Sequence, residues 1–511
     1  MAKQRKTSKP GIVVVTGGAG GLGVHVVRTL EAAGWTVRAL DERPLPSTGR
    51  GPLLAATERV EWVPAGLGTS EAREALEGAQ AVVHCSAQVS LSDEEALLMT
   101  VNADQTRRFF DDAADAGVDH FVHISCAFVY AADNGVITEA SPTAPGNPYE
   151  RSKLAGERAL QRAARQKGAP ALTILRPGLL YGPGCTQMGA GIITLPAILG
   201  ELTRLLPGLT GGPRTNWCHV EDAATSVLTV LEHPDARGAI FNVADATPLS
   251  FGEVLTSIME AYGFELGPSV PMPNVALWAI LSPIIDHDWT FDRARRLLLW
   301  AWRRVQGTQG IQSPLRPRLQ RNALFYVQDD AIVVADALRE LGWEPHWTDF
   351  REGIAVTIRW YQEQGWIPRF DTESLVERRD AQPSTSISYT EIFEGTFHGD
   401  DHQPFHLELL STWRGLPVPP FRTDGVLTGT LTIDGLTQSA KVQGTMEIKW
   451  LPIPRITYEF GFDDDRGKAC RIEATRSFRP DSGPGFARMR GSVTGHRGHR
   501  LGDFEATWRR S

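Results

Sequence analysis

The stretch that most constrains this chain is Val13-Val14-Val15-Thr16-Gly17-Gly18-Ala19-Gly20-Gly21-Leu22-Gly23. A β-branched apolar run meets a glycine-rich turn. An amphipathic segment follows, with Val24, Val26, Val27 and Leu30 apolar and His25, Arg28 and Glu31 polar. Strand, tight turn and helix in that order form the context a dinucleotide-binding fingerprint needs. Gly17 permits the sharp turn, Gly20 lets the backbone approach a pyrophosphate, and Gly23 lets the new helix pack closely on the strand. The helix N-terminus offers free N–H groups and the positive end of a dipole to the phosphates.

At 511 residues the chain is too long for one ordinary domain. A net charge of −8 argues against a general nucleic-acid binder. The segment 1–10 is basic and polar, without the apolar run of a signal peptide, and reads as a flexible tail. No stretch has the length of a membrane-spanning helix. Cys85, Cys126, Cys185, Cys218 and Cys470 are odd in number and form no CxxC pair, so neither a zinc ribbon nor a disulfide framework is indicated. A reduced, cytoplasmic protein is the expectation.

From Gly11 to Gln166 strand and helix alternate. Strands are predicted at 12–16, 36–40, 59–63, 80–84 and 121–125, and helices at 71–77, 102–116 and 149–166. That alternation predicts a doubly wound parallel α/β sheet, with ligands beyond the carboxyl ends of its strands. Asp41 ends the second strand, where a carboxylate accepts the ribose hydroxyls and repels a 2′-phosphate. The cofactor predicted is NAD, with NADP as the alternative because Arg38 and Arg43 lie close by. Tyr149 and Lys153 are four apart and share one helix face. An ammonium near a phenol lowers its pKa, so the pair suits proton exchange with a substrate hydroxyl during hydride transfer.

Residues 11–367 resemble the extended short-chain dehydrogenase/reductases, the group of nucleotide-sugar epimerases and dehydratases, 3β-hydroxysteroid dehydrogenases and dihydroflavonol reductases. The resemblance rests on Thr16 to Gly23, the His84…Ala87 turn, Asn102, Ser125 to Tyr130 and Tyr149…Lys153. It continues through Leu175 to Gly184, Cys218 to Ala223 and Phe241-Asn242-Val243. It implies Tyr149 as acid/base and Lys153 as the residue that lowers its pKa and holds the nicotinamide ribose. It places cofactor contacts at Gly17, Gly20, Gly21, Leu22, Gly23, Asp41, Gly66, Leu67, Ala87 and Asn102, with Pro177 and Leu179 flanking the nicotinamide. Two positions depart from the family pattern. Cys126 stands where a serine or threonine usually bonds the reacting oxygen, and a thiol is a weaker partner. Ser125, one residue earlier, should face the other way on a strand. Ala65-Gly66-Leu67 also lacks the family's adenine-binding aspartate.

The substrate lobe is expected in 184–216 and 245–325, with Arg214 a candidate contact. Within it, Val275 to Ile285 is apolar but short. The segment Arg293 to Arg304 mixes arginines, leucines and Trp300 and Trp302. It reads as a lid over a greasy pocket with its arginines in solvent, or as a peripheral membrane contact through 275–304. Phe325 to Trp366 reads as two helices around Leu341-Gly342-Trp343-Glu344-Pro345. Residues 368–385 read as a linker. Beyond Ile387 the period becomes two, with strands expected at 387–397, 405–412, 425–433, 437–449, 455–462, 468–477, 486–494 and 502–509. This is an antiparallel barrel or sandwich, in which Tyr458, Phe460 and Phe462 line a ligand cavity or fill a dry core. His398, Asp400, Asp401, His402 and His406 match no metal-ligand spacing and read as a solvated loop.

The function predicted is NAD-dependent interconversion of a secondary alcohol and a ketone on an apolar, steroid- or lipid-like molecule. Tyr149, Lys153 and Cys126 would carry it, without a metal. A nucleotide-sugar epimerase or dehydratase is the alternative, although Ala127-Phe128 replaces a dehydratase's acidic pair. A non-catalytic dinucleotide-binding protein is the third reading. A dimer is the oligomeric state considered.

Overall fold

In the computed structural model the described residues are 11–43, 58–91, 94–131, 135–200, 206–264, 266–272, 287–317, 319, 329–369, 386–399, 401–414, 423–449, 455–477 and 488–509. The apolar stretch Val275 to Ile285, the segment 1–10, and most of the expected linker lie outside them. Contacts divide the chain between Asp371 and Thr372 into two units.

The first unit is built on a parallel sheet of β1 (Ile12–Thr16), β2 (Thr36–Asp41), β3 (Val60–Pro64), β4 (Ala79–His84), β5 (His120–Ile124), β6 (Ala171–Pro177) and β7 (Ile240–Val243). Their order is β7-β6-β5-β4-β1-β2-β3. The chain reverses direction between β1 and β4, and that crevice is where such sheets bind ligands. Val13, Val14 and Val15 are buried on both faces, as a central parallel strand requires. Val13 and Val15 pack with Val26, Val27 and Leu30 of α1 (Gly23–Ala32), whereas Val14 packs with Phe109, Phe110 and Phe121 on the opposite face.

The helix expected at 102–116 starts earlier and is not uniform. Two α-helical pieces, α2 (Glu95–Met99) and α3 (Thr106–Asp115), flank a π-helical segment at Thr100–Gln105. Wide turns of this kind are rare and sit within α-helices. At its centre the Asn102 backbone carbonyl oxygen lies where a Cβ on Gly156 would collide with it.

The second unit is a closed antiparallel barrel in which every strand pairs with its neighbour in sequence and the first with the last. Its strands are β8 (Ser386–His398), β9 (His402–Arg414), β10 (Thr423–Ile433), β11 (Thr437–Lys449), β12 (Arg455–Asp463), β13 (Ala469–Ser477), β14 (Arg488–Thr494) and β15 (Arg500–Arg509). Closure decides between the barrel and sandwich expectations. Alternate residues face inward, and Tyr458, Phe460 and Phe462 are buried with Phe393, Phe405 and Phe504 in the barrel's core. Phe405 and Phe504 stack with ring centroids 4.2 Å apart. Small residues pair with large ones on neighbouring strands: Gly491 sits opposite Phe504, and a Cβ on it would fall 2.7 Å from that ring. Within this apolar fill, Arg476 donates to Glu391 at 2.5 Å and to the Tyr458 hydroxyl at 3.0 Å. Ser411 also donates to Glu391, at 3.1 Å. Each buried charge is therefore paired and hydrogen-bonded, which is the condition for its being tolerated there.

Candidate active site

Beyond the carboxyl ends of β1, β4 and β5 lies a cleft of about 1380 Å³. Its floor begins at the glycine turn. Gly17 has φ +69°, a conformation open to glycine, and its carbonyl accepts from the Gly20 N–H at 2.8 Å. A Cβ on Gly23 would strike that same carbonyl oxygen, so helix and turn close up only without one. Gly21 packs instead against Gly184 and Cys185. Gly17, Gly20, Gly21, Leu22 and Gly23 all line the cleft.

Asp41 lies at the cleft's far end, at the carboxyl terminus of β2. Its Oδ2 accepts from the Ala19 N–H at 3.1 Å. Arg43 folds back onto it, Nε donating to Oδ1 at 3.1 Å and a terminal nitrogen to Oδ2 at 3.2 Å. Arg38 is turned away, bonded to Glu61 and to the carbonyls of Ala75 and Glu77. Of the two arginines, only Arg43 reaches the cleft. Leu67 and Ala87 are on its wall, while Gly66 lies against the Glu42 side chain.

Tyr149 and Lys153 occupy the start of α4 (Pro148–Ala163). That start is fixed twice over. Asn147 accepts from the Glu150 N–H, Glu150 accepts from the Asn147 N–H, and Pro148 holds the first helical position. The Asn-Pro-x-Glu signal stands in the sequence immediately around Tyr149 and sets the turn that carries it. Asn102 braces the same helix from behind. It accepts from the Gln88 N–H at 2.8 Å and donates to the Gln88 carbonyl and the Ser152 hydroxyl. It therefore supports the wall without being part of it.

Lys153 is 2% exposed, and its Nζ donates to the Ile124 carbonyl at 2.7 Å. Burial lowers its pKa, with Cys126, Glu157 and Cys85 acting to raise it. The Tyr149 phenol moves the other way, raised by burial and then by Cys126 and Glu150. Burial pushes the Cys126 thiol up to about 12, so it stands protonated, a neutral donor. Tyr149, Lys153, Cys126, Pro177 and Leu179 all line the cleft, and Cys126 packs in one apolar cluster with Tyr149 and feels the Lys153 charge. The Ser125 hydroxyl is committed elsewhere, to Glu157. Glu157 also receives two bonds from Arg176, and the buried Arg176 guanidinium covers the Tyr130 ring at 4.4 Å. This ion pair behind the Ser125-Cys126 strand end carries no signal in sequence, because its partners share neither a motif nor a helix.

The outer walls are Gln88, Val89, Leu91, Phe128 and Gln187 together with Phe291, Arg295 and Leu299. The last three come from α6 (Asp288–Gln309), the helix expected as a lid. Helix α5 (Val220–Glu232) packs over α1. Arg214, the candidate substrate contact in the lobe, is exposed and lies outside the cleft wall. Among the described residues, no three metal-ligating side chains converge.

A family model described as "NAD dependent epimerase/dehydratase family" matches residues 13–244. A ceramide reductase of Caulobacter vibrioides is 31% identical across 71% of this chain and 98% of its own length. The chain belongs to the NAD-dependent epimerase/dehydratase family. Another relative, the 4-hydroxy-2-methyl-3-oxo-4-farnesyl-3,4-dihydroquinoline-1-oxide ketoreductase of Stigmatella aurantiaca, is 24% identical across 58% of this chain and 94% of its own. The dTDP-glucose 4,6-dehydratase of Streptomyces venezuelae, solved with NAD, shares the fold at a TM-score of 0.51. That structure is 24% identical and covers 70% of this chain and 98% of its own. As a member of the family, this chain is an NAD-dependent enzyme of the extended short-chain dehydrogenase type. The family match ends before the barrel.

The cleft fits that cofactor. A turn that admits no Cβ at Gly23 presents backbone at the start of α1, and a carboxylate stands at the end of β2. Gly17, Gly20 and Gly21 would hold the pyrophosphate, Asp41 the adenosine ribose, and Lys153 the nicotinamide ribose.

Proposed function

We propose that this family member reduces a ketone, or oxidises the matching secondary alcohol, on an apolar lipid- or steroid-like substrate. The observation that carries this reading is the meeting of Tyr149, Lys153 and Cys126 in a cleft whose outer walls include Val89, Leu91, Phe128, Phe291 and Leu299 beside the polar Gln88, Gln187 and Arg295. Apolar walls favour a hydrocarbon by removing its surface from water, about 25 cal/mol for each Å² buried. At the position where a dehydratase would need acids, this site has Ala127, which is buried, and Phe128 on the wall.

The cofactor supplies or takes the hydride when bound. Tyr149, kept neutral by burial, is set to give its proton to the substrate oxygen as the carbon is reduced. Lys153, held at the Ile124 carbonyl and lining the same cleft, would hold the nicotinamide ribose and bring positive charge to the phenolate left behind. The Cys126 thiol, protonated and on the cleft lining, would offer a neutral S–H to the same oxygen in place of a hydroxyl. Run in reverse, the phenolate takes the proton of an alcohol.

The test is turnover of NADH with a panel of long-chain ketones and sterols, against dTDP- and UDP-sugars. Activity on an apolar ketone, lost in Tyr149→Phe with NAD affinity kept, supports the reading. Turnover of a nucleotide sugar alone would overturn it.

A further inference from the structure

The basic, tryptophan-bearing segment, read in sequence as a lid or as a membrane contact, is a single helix with three distinct faces. Helix α6 runs for 22 residues, at about 100° per residue. One face, with Ala301, Trp302 and Val305, is buried in the core of the substrate lobe. A second face lines the cleft through Phe291, Arg295 and Leu299, together with both acids of the helix, Asp288 and Asp292.

The third face is covered by nothing among the described residues. It carries Trp289 (60% exposed), Leu297 (47%) and Trp300 (45%). Interleaved with them are Arg293, Arg296, Arg303 and Arg304, all exposed. Both tryptophans of this face are exposed. Arg293 lies over the Trp289 ring at 4.3 Å, so the pair forms one flat amphipathic plate. Within the described residues, Arg296, Arg303 and Arg304 make no ion pair. Exposed tryptophan is costly in water and well placed at a headgroup boundary, where its ring is half apolar and half wet. Four guanidinium groups without an acid among them, on a chain whose net charge is −8, are a local charge of the wrong sign for solubility alone. They complement an anionic surface, and bidentate phosphate contacts suit arginine.

We propose that this outer face of α6 docks the chain on an anionic lipid bilayer and sets the mouth of the cleft against the lipid, so that an apolar substrate passes from the bilayer into the site. The helix would lie in the plane of the interface. Among the described residues, no helix is long and apolar enough to cross a membrane, so the contact is peripheral for the described part of the chain. What is delivered rests on the substrate reading above; the docking does not.

The experiment is flotation of the full chain with phosphatidylcholine vesicles containing about 30 mol % phosphatidylglycerol, and with phosphatidylcholine alone. The full chain should float with the anionic vesicles, weakly or not with the neutral ones, and be released at about 0.5 M salt. Each arginine near such a surface is worth about fivefold in partitioning. The triple variant Arg296→Glu/Arg303→Glu/Arg304→Glu should therefore lose on the order of a hundredfold or more, and Trp289→Ala/Trp300→Ala should also float less. Both variants should keep parental Tm and NAD affinity, since none of these side chains lines the cleft. Failure of the parent chain to float, or variants that float as it does, would overturn the docking. So would sedimentation showing a dimer that these variants dissolve, because the face would then be an interface between copies. Vesicle binding needs neither cofactor nor turnover. A chain that floats yet reduces no apolar ketone would thus refute the substrate reading and leave the docking standing.

Discussion

The buried pair behind the site makes a demanding prediction. Arg176 and Glu157 have side chains 5% and 1% exposed, so little solvent screening weakens their interaction. Glu157 accepts from Arg176 Nε at 2.9 Å, from a second guanidinium nitrogen, and from Ser125. Arg176→Met keeps most of the volume of the arginine stem and removes two of those three donors. A carboxylate is then left in the interior with one hydroxyl. Breaking a buried pair on one side costs about 3–5 kcal/mol. In a chain of this size about 2 °C of Tm follows each kcal/mol, so a fall of about 6–10 °C is expected for the first unit. Adding Glu157→Gln removes the stranded charge, and the double variant should recover more than half of the loss. The assay is a double-mutant cycle by calorimetry and urea unfolding, read beside kcat. Because Ser125 hangs on the same carboxylate and precedes Cys126, the single variant should also lower kcat more than it changes the affinity for NAD. A cost under about 1 kcal/mol for Arg176→Met, or a double variant less stable than the single, would refute the view that this pair holds up the strand end.

Other groups near the cleft and in the core answer to perturbation in the same way. Cys126→Ser should keep or raise kcat, since a hydroxyl is the better donor; a large loss in steady-state rate would assign the thiol a role of its own. Arg43→Ala should free Asp41 and widen the preference for NAD over NADP by about tenfold in fluorescence titrations, while Asp41→Asn should narrow it. His84 and His219, each pushed down to about 3 by burial, and His120, down to about 4, stay neutral in the fold. Unfolded, each takes up a proton near pH 6.5, so the unfolded state binds more protons between about pH 4 and 6.5. Stability should then fall as pH is lowered through that window, by up to about 4 kcal/mol per pH unit for three such groups. Asp222 and Asp245, raised by burial, offset part of the slope. A Tm that does not fall between pH 7 and pH 5 in calorimetry would contradict the burial of these rings.

Sequence carried the fold because period and punctuation are local. Valines before Gly17 and alternation after Ile387 needed no partner to be recognised, and the eight barrel strands fall within a few residues of their expected bounds. Barrel against sandwich was open because closure depends on β8 meeting β15, a pairing such as Ile392 with Arg509 that no local pattern encodes. The site divides in the same way. Tyr149 and Lys153 share a helix turn and could be seen together, and the capping residues Asn147 and Glu150 were equally local. The Glu157–Arg176 pair and the commitment of Ser125 to Glu157 come from packing between separate elements. So does the wide turn at Thr100–Gln105, which Asn102 and Gly156 make intelligible only once both helices are in place. For α6, hydrophobic spacing announced a helix, and only its neighbours could tell which of three faces met core, cleft or water.

The closure of the barrel also has a mechanical side. Because β15 runs antiparallel to β8, the chain enters and leaves the barrel at one rim. Tension applied along the chain would peel this seam one backbone hydrogen bond at a time, instead of loading the whole row in shear. Once the seam parts, the free edges of β8 and β15 are bared together, and two unpaired edges invite pairing with other chains. Pulled by its two ends, the barrel therefore yields at this seam first.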